Sequence, residues 1–333
     1  MTEPRLTIVI PTYNRPDLLP RAIKSCLDQV IPVKIIIADD GDDTEQTAKI
    51  LDDDFSCETI LDGTITHLKT EAKTAWQNWR AGAEAATTEF VSWHQDDDVV
   101  RPTYSRRIIT AFDRFPDANI WISRLHISPD GKLALWSSGN GPWVPMDLID
   151  GDVCSYAEGS IIASTGYFTA WSLAPAMAFR NGPMFKRALE KMPDDCDIFV
   201  ERLVPAMACN GGPFIADPII AGYWVIHDEQ LSTKQHPDQP RQTKLFIKAL
   251  DDVMDGMERW EESLAAWCQI NTAQTVIQWA QQIDTTIKEG GVSRHARKVQ
   301  AILVHSLIGR VKMGRIYPWW HKAARWVRDR VAI

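Results

Sequence analysis

The chain has 333 residues, 45% of them hydrophobic and 24% charged, with a net charge of −8: an ordinary soluble globular composition, long enough for one large α/β domain plus an appendage or for two domains. Gly290 to Ile333 hold ten Lys/Arg and one acid, Asp329, a net of +9, which leaves −17 on residues 1–289; so acidic a body argues against a nucleic-acid-binding main domain and points the basic tail at an anionic partner. The six cysteines (Cys26, Cys57, Cys154, Cys196, Cys209, Cys268) form no Cys-x-x-Cys pair, which speaks against a disulfide framework or a zinc site and suits reduced thiols in a cytoplasm.

No basic region followed by a long apolar stretch opens the chain, so no secretory signal is predicted. No run of about 18 or more apolar residues occurs, so no transmembrane helix is predicted. Leu6 to Ile10 is β-branched and apolar, a strand buried on both faces, closed by Pro11-Thr12-Tyr13-Asn14-Arg15-Pro16. Asp17 is placed to cap a helix through Leu18, Leu19, Ala22, Ile23, Cys26 and Leu27. Val33 to Ala38 predicts a second buried strand, ending in Asp39-Asp40-Gly41-Asp42-Asp43. A short helix over Thr44 to Leu51, a weaker strand within Thr59 to Leu68 and a helix from about Glu71 to Ala86 follow. Phe90, Val91 and Trp93 then form a strand that runs into Asp96-Asp97-Asp98 and on to Pro102. Strand and helix alternating at this spacing predict a doubly wound sheet.

Three adjacent carboxylates repel one another, so their position at a strand end suits an oxygen-ligated divalent cation, although a solvated acidic turn fits equally well on these residues alone. In an open α/β sheet, ligands bind at the carboxyl ends of strands, and two such ends here carry acids on the same edge.

Thr-Ile-Val-Ile-Pro-Thr-Tyr-Asn-Arg at 7 to 15, Ile-Ile-Ala-Asp-Asp-Gly at 36 to 41 and Glu-Phe-Val-Ser-Trp-His-Gln-Asp-Asp-Asp-Val-Val-Arg-Pro at 89 to 102 together resemble family 2 glycosyltransferases of the GT-A fold. The resemblance implies an α/β, Rossmann-like, doubly wound mixed sheet and an inverting transfer of sugar from a nucleoside-diphosphate donor. It implies that Pro11, Thr12, Tyr13, Asn14, Arg15 and Asp40 hold the donor, with Arg80 and Asp96 beside them. By position before Pro102, Asp97 matches the acid that holds a divalent metal, manganese or magnesium, with Asp98 alongside. Two departures stand out: Gln95 occupies a place where the family often has Asp, and the usual Asn of the preceding helix is replaced or shifted, Asn78 and Arg80 being the nearby candidates.

Residues 103 to 180 carry Trp121, Trp136, Trp143 and Trp171 among Gly/Pro punctuation. Each Trp reads as core before sugar platform, by about two to one. Pro193-Asp194-Asp195-Cys196-Asp197 resembles the family's Glu-Asp-x-Asp motif, which makes Asp195 the general base that deprotonates the acceptor hydroxyl. The plainer reading has Asp194 and Asp195 capping a helix through Phe199 and Leu203, and both can hold. Gly222 to Ser232 resembles a strand and loop in which a histidine, here His227, completes the metal site; a nitrogen ligand suits manganese better.

From Lys244 the stripe Phe246, Leu250, Val253, Met257, Trp260, Leu264 and Trp267 predicts one helix with a heptad-like face. That face packs on the catalytic domain by preference, or on a second copy of the chain as a homo-oligomer. Helices over Thr272 to Glu289 and Ser293 to Val311 follow. In the tail at 310–330, Tyr317, Trp319, Trp320 and Trp326 among Lys and Arg fit a membrane-surface anchor and, equally, a basic helix docked on the acidic body.

The organisation this predicts is a nucleotide-sugar-binding half over 1–102, an acceptor-binding half over 103–239 and a helical region over 240–333. The function that the resemblance and the tail imply is that of a cytoplasmic glycosyltransferase acting on a glycan or lipid-linked acceptor in cell-surface polysaccharide synthesis, with the inner membrane face as a place for it to dock. Two other readings use related folds. A sugar-nucleotide nucleotidyltransferase would carry a Gly-rich phosphate loop, which Pro11 to Pro20 lacks. A non-catalytic carbohydrate- or membrane-binding subunit is kept open by Gln95.

Overall fold

The structure, a computed structural model, describes residues 3–55, 59, 62–129, 154–156, 174, 176–197, 200–208, 213–226, 238–249, 261, 264, 265, 268, 273–289 and 294–312. In the apolar runs near the N-terminus, odd and even residues are buried against different layers, which requires a strand with cover on both sides. Thus in β1 (Leu6–Thr12) Ile8 and Ile10 enter one core while Val9 enters the other, and in β2 (Lys34–Asp39) Ile35 and Ile37 oppose Ile36 and Ala38. Helix α1 (Leu19–Leu27) and helix α2 (Thr44–Asp54) follow these strands, and β3 (Ile65–Lys69), α3 (Ala75–Ala85), β4 (Phe90–Trp93), β5 (Val99–Val100) and α4 (Tyr104–Arg114) complete the first half.

The second half adds β6 (Ile120–Pro129), β7 (Cys154–Tyr156), β8 (Met177–Arg180), α5 (Pro183–Lys191), α6 (Val200–Ala208) and β9 (Phe214–Ile226). Helices α7 (Gln239–Lys248), α8 (Ala273–Lys288) and α9 (Arg294–Lys312) form the C-terminal helical region. All nine strands join one sheet in the order β3-β2-β1-β4-β8-β6-β9-β5, with β7 on β9. The first four strands are parallel, β8 runs antiparallel to both β4 and β6, and β6 and β9 are parallel again. Strand order reverses between β1 and β4, which opens a crevice at their carboxyl ends.

Two cores sandwich the sheet. One lies under α1, α2 and α4, built on Leu19, Ile23, Leu51, Ile108 and Phe112. The other holds Trp76, Phe185, Leu203 and Phe246 with residues of α8 and α9, so the C-terminal helices share the main core. Trp121 is fully buried, as its core reading requires. At Gly82 a Cβ would stand 2.3 Å from Val9 Cγ1, so only glycine lets α3 press this closely onto β1.

Three expectations change. Leu18, not Asp17, stands at the N-cap of α1, with no side-chain cap; Pro20 in the first turn has no N–H, which removes one of the donors that a cap would serve. Asp194 to Asp197 lie outside any helix, so neither Asp194 nor Asp195 stands at the N-cap of α6. The heptad stripe does not run on one helix, because α7 closes at Ala249. Phe246 and Leu264 are buried in the shared core, while Leu250, Val253, Met257, Trp260 and Trp267 lie outside the described residues, as do Trp136, Trp143, Trp171, His227 and the tail from Met313. Among the described residues, no helix is long and apolar enough to cross a membrane.

Candidate active site

The acid turn hangs from Trp93. Its ring is fully buried against Trp79, Phe179 and Phe185, with centroids 5.4, 5.1 and 5.6 Å away, and its Nε1–H donates to the Trp79 carbonyl at 3.2 Å. After it His94 is sealed off, 3.5 Å from Ser25 Oγ, and burial together with the charge of Arg21 lowers its imidazole to about 3, so the ring is neutral. Asp96, Asp97 and Asp98 follow, all buried.

Each of the three residues is tethered, through its carboxylate or its backbone. Thr12 Oγ1, at the end of β1, donates to Asp96 Oδ2 at 2.8 Å. Arg15 Nη1 stands 3.1 Å from both Asp96 Oδ1 and Asp97 Oδ2. Arg21 Nη2 donates to the Asp97 carbonyl at 2.6 Å, and the Val225 amide of β9 donates to Asp98 Oδ1 at 2.9 Å. Asp98 Oδ2 is buried and accepts no hydrogen bond from the described residues.

Burial dominates the electrostatics here. It raises Asp96 to about 6, against the nearby charge of Arg15 and with that of Asp97. Holding Asp96 ionised at neutral pH therefore costs about 3 kcal/mol, an order-of-magnitude figure that an added cation would offset. Burial, followed by the charge of Asp97 and then those of Glu201 and Asp96, pushes Asp98 well above the carboxylate range, with the Val225 bond opposing.

The loop after β1 faces the loop after β2. Asn14, at φ 52°, exchanges hydrogen bonds with Asp42: its Nδ2 donates to Asp42 Oδ2 at 2.8 Å and its Oδ1 accepts from the Asp42 amide at 2.9 Å. Asn is among the few side chains that tolerate such a left-handed backbone. Asn78 of α3 is buried and donates to the carbonyls of Thr12 and Ala38 at 3.2 and 2.9 Å, tying the ends of β1 and β2 together. Tyr13 is 55% exposed at this edge. Asp39 is engaged by His67 at 3.0 Å and by the Gly41 amide at 2.9 Å. Asp40 accepts from the Ala72 amide at 2.8 Å, and burial with the charges of Asp39 and Asp42 raises its carboxyl.

Of the residues singled out in the sequence, Thr12, Arg15, Asp96 and Asp97 meet directly. Pro11 lies within β1, paired in register with Ala38. Arg80 turns elsewhere, its Nη1 2.5 Å from Asp194 Oδ1, so it links α3 to the Asp194–Asp195 loop. Thr74 Oγ1 at the N-cap of α3 donates to the Asp194 carbonyl at 2.9 Å, and Asp195 pairs with Arg241 of α7, both side chains about half exposed. Three participants carry no local sequence signal. Arg21 looks like any helix-face cation; Glu201 sits beneath Gln95, whose Nε2 lies 3.4 Å from Glu201 Oε1; Arg241 is brought in from a distant helix.

As a cation position the turn is open, not caged. Among the described residues no three metal-ligating side chains converge on one point. Asp96 and Asp97 nevertheless turn oxygens toward a single positive group, and the donor set is all oxygen, which fits magnesium or manganese held by one or two carboxylates with phosphate oxygens completing the shell.

A crevice at the strand-order reversal, edged by the acid turn and by the loops after β1 and β2, is the arrangement of the GT-A fold. Residues 7–169 match the family model described as Glycosyl transferase family 2. The fold is similar to S. aureus TarS, with a TM-score of 0.57 at 12% identity over 92% of this chain and 53% of that one. It is equally similar to TarS 1–349 in complex with UDP, at 0.57 and 11% identity over 94% and 93%, and the complex with UDP-GlcNAc gives 0.52 and 10% over the same shares. The chain thus spans about half the length of the longer TarS chain. No curated protein matches the sequence.

Proposed function

We propose that this chain is an inverting glycosyltransferase that moves a sugar from a nucleoside-diphosphate donor to a hydroxyl of a glycan or lipid-linked acceptor, in cell-surface polysaccharide synthesis at the membrane face. The observation that carries the reading is the convergence of Thr12, Arg15 and the buried Asp96–Asp97 pair at the carboxyl edge of β1 and β4, inside the family 2 stretch. TarS has been solved with UDP and with UDP-GlcNAc, which supports uridine diphosphate as the leaving group and an N-acetylhexosamine as the sugar.

In this reading the half-exposed Tyr13 ring stacks on the base, and Asp40 accepts a hydrogen bond from a base N–H. Asp96 and Asp97 would hold a divalent metal, with Asp98 and His227 as further ligands. When bound, the metal supplies positive charge that stabilises the departing diphosphate. Asp195 takes the proton of the acceptor hydroxyl as its oxygen attacks the anomeric carbon. The bond to the diphosphate breaks with its electron pair leaving on that oxygen, and this single displacement inverts the anomeric centre.

Two measurements test this. Thermal-shift scans of nucleoside diphosphates with manganese, magnesium or chelator are expected to give metal-dependent stabilisation by UDP. Asp195→Asn is expected to bind donor normally and to lose transfer; full activity in that variant overturns the assignment of the base.

A further inference from the structure

Arg15 stands between the two carboxylates that the proposed function assigns to a metal, and its contacts are of an exchangeable kind. A single nitrogen, Nη1, serves both Asp96 and Asp97 at 3.1 Å, longer than the roughly 2.7–2.9 Å of a strong charge-assisted bond and without the two-pronged geometry that guanidinium groups otherwise offer carboxylates. The acid turn does not depend on it for shape. Thr12 holds the other oxygen of Asp96, Arg21 holds the Asp97 carbonyl, Val225 holds Asp98, and Trp93 anchors the strand behind them.

The backbone that carries Arg15 is fixed through Asn14 and its paired bonds to Asp42, while the side chain, 22% exposed, reaches across on rotatable carbons. Beside this contact, Asp98 Oδ2 is buried and accepts no hydrogen bond from the described residues.

We propose that Arg15 is the resident counter-cation of the Asp96–Asp97 pair, which the divalent ion displaces and which, once displaced, turns to the diphosphate of the donor. The inference rests on the metal-dependent reading of the site given above. It makes metal and nucleotide binding cooperative. Each favours the conformation in which Arg15 has left the acids, and the coupling must be equal in both directions.

The test is direct manganese titration of the full chain by electron paramagnetic resonance, for wild type and Arg15→Gln, without nucleotide and with UDP. Without nucleotide, Arg15→Gln is expected to bind manganese about 5- to 10-fold tighter than wild type. UDP is expected to tighten manganese binding in wild type by more than in the variant. Equal or weaker manganese binding by Arg15→Gln, with wild type still binding, overturns the proposal and leaves the metal reading intact. Absence of manganese binding in both overturns the two together. Should Arg15→Gln fail to fold, Arg15→Lys carries the same comparison: its shorter side chain holds the acids less well, so manganese binding tightens, and no tightening overturns the proposal.

Discussion

The amide of Val225 donates to Oδ1 of Asp98 at 2.9 Å, joining strand β9 of the second half to the acid turn of the first. One oxygen of Asp98 is thereby a structural acceptor, while the other, Oδ2, is buried without a donor among the described residues. The two roles can be separated by substitution. Asp98→Asn keeps an acceptor for Val225 and removes a carboxylate that burial strongly disfavours, so the metal-free protein is expected to be at least as stable as wild type. Asp98→Ala removes the acceptor, and its urea unfolding should report a loss of about 1–3 kcal/mol relative to Asp98→Asn. Both variants are expected to lose about 10- to 100-fold in transfer or metal affinity. Equal stability of the two would mean that the Val225 bond contributes nothing.

Acid sensitivity should trace to the Asp39–His67 pair at the ends of β2 and β3. Burial alone would raise the Asp39 carboxyl, but hydrogen bonds from His67, the Gly41 amide and Thr47 together outweigh it and hold it below its ordinary value of 3.8. A carboxyl depressed in the folded state binds its proton less tightly there than in the unfolded chain. Its contribution to stability is therefore present above the unfolded value and lost as pH falls through the folded one. In His67→Ala the strongest bond opposing burial is gone, so the carboxyl is held down less and the stability lost between about pH 5 and about pH 3 should shrink. Urea midpoints measured across that range check it, and an unchanged slope would remove the pair from the account.

The first half was readable because its strands are parallel and buried on both faces, which forces unbroken apolar runs such as Leu6 to Ile10 that end where the ligand edge begins. The acid turn could be placed because the apolar run ending at Trp93 meets three adjacent carboxylates at a strand end, but the same residues suit a solvated turn, and their burial came only from the fold. What escaped depends on contacts distant in sequence. The antiparallel placement of β8 between β4 and β6 leaves no trace in a four-residue strand. Glu201 reaches Gln95, and Arg241 reaches Asp195, only through tertiary packing. The helix start at Leu19 and the stop at Ala249 were misread because local signals, an acid before a helix and a regular apolar stripe, were followed where Pro20 and the close of α7 decided otherwise.

Trp93 offers the sharpest link between packing and chemistry, since it is two residues from Gln95 and three from Asp96. Its indole fills the space bounded by Trp76, Trp79, Phe179 and Phe185, and truncation leaves a cavity that close-packed rings cannot refill. Trp93→Ala is expected to cost about 3–5 kcal/mol in urea unfolding. Trp93→Phe keeps most of the ring contacts and gives up the 3.2 Å bond to the Trp79 carbonyl, a loss of about 1 kcal/mol for the bond itself. If the ring positions the acid turn, manganese affinity measured well below the melting temperature falls in Trp93→Ala and stays near wild type in Trp93→Phe. Unaltered affinity in a folded Trp93→Ala protein would show that the tethers from Thr12, Arg21 and Val225 hold the turn without the strand behind it.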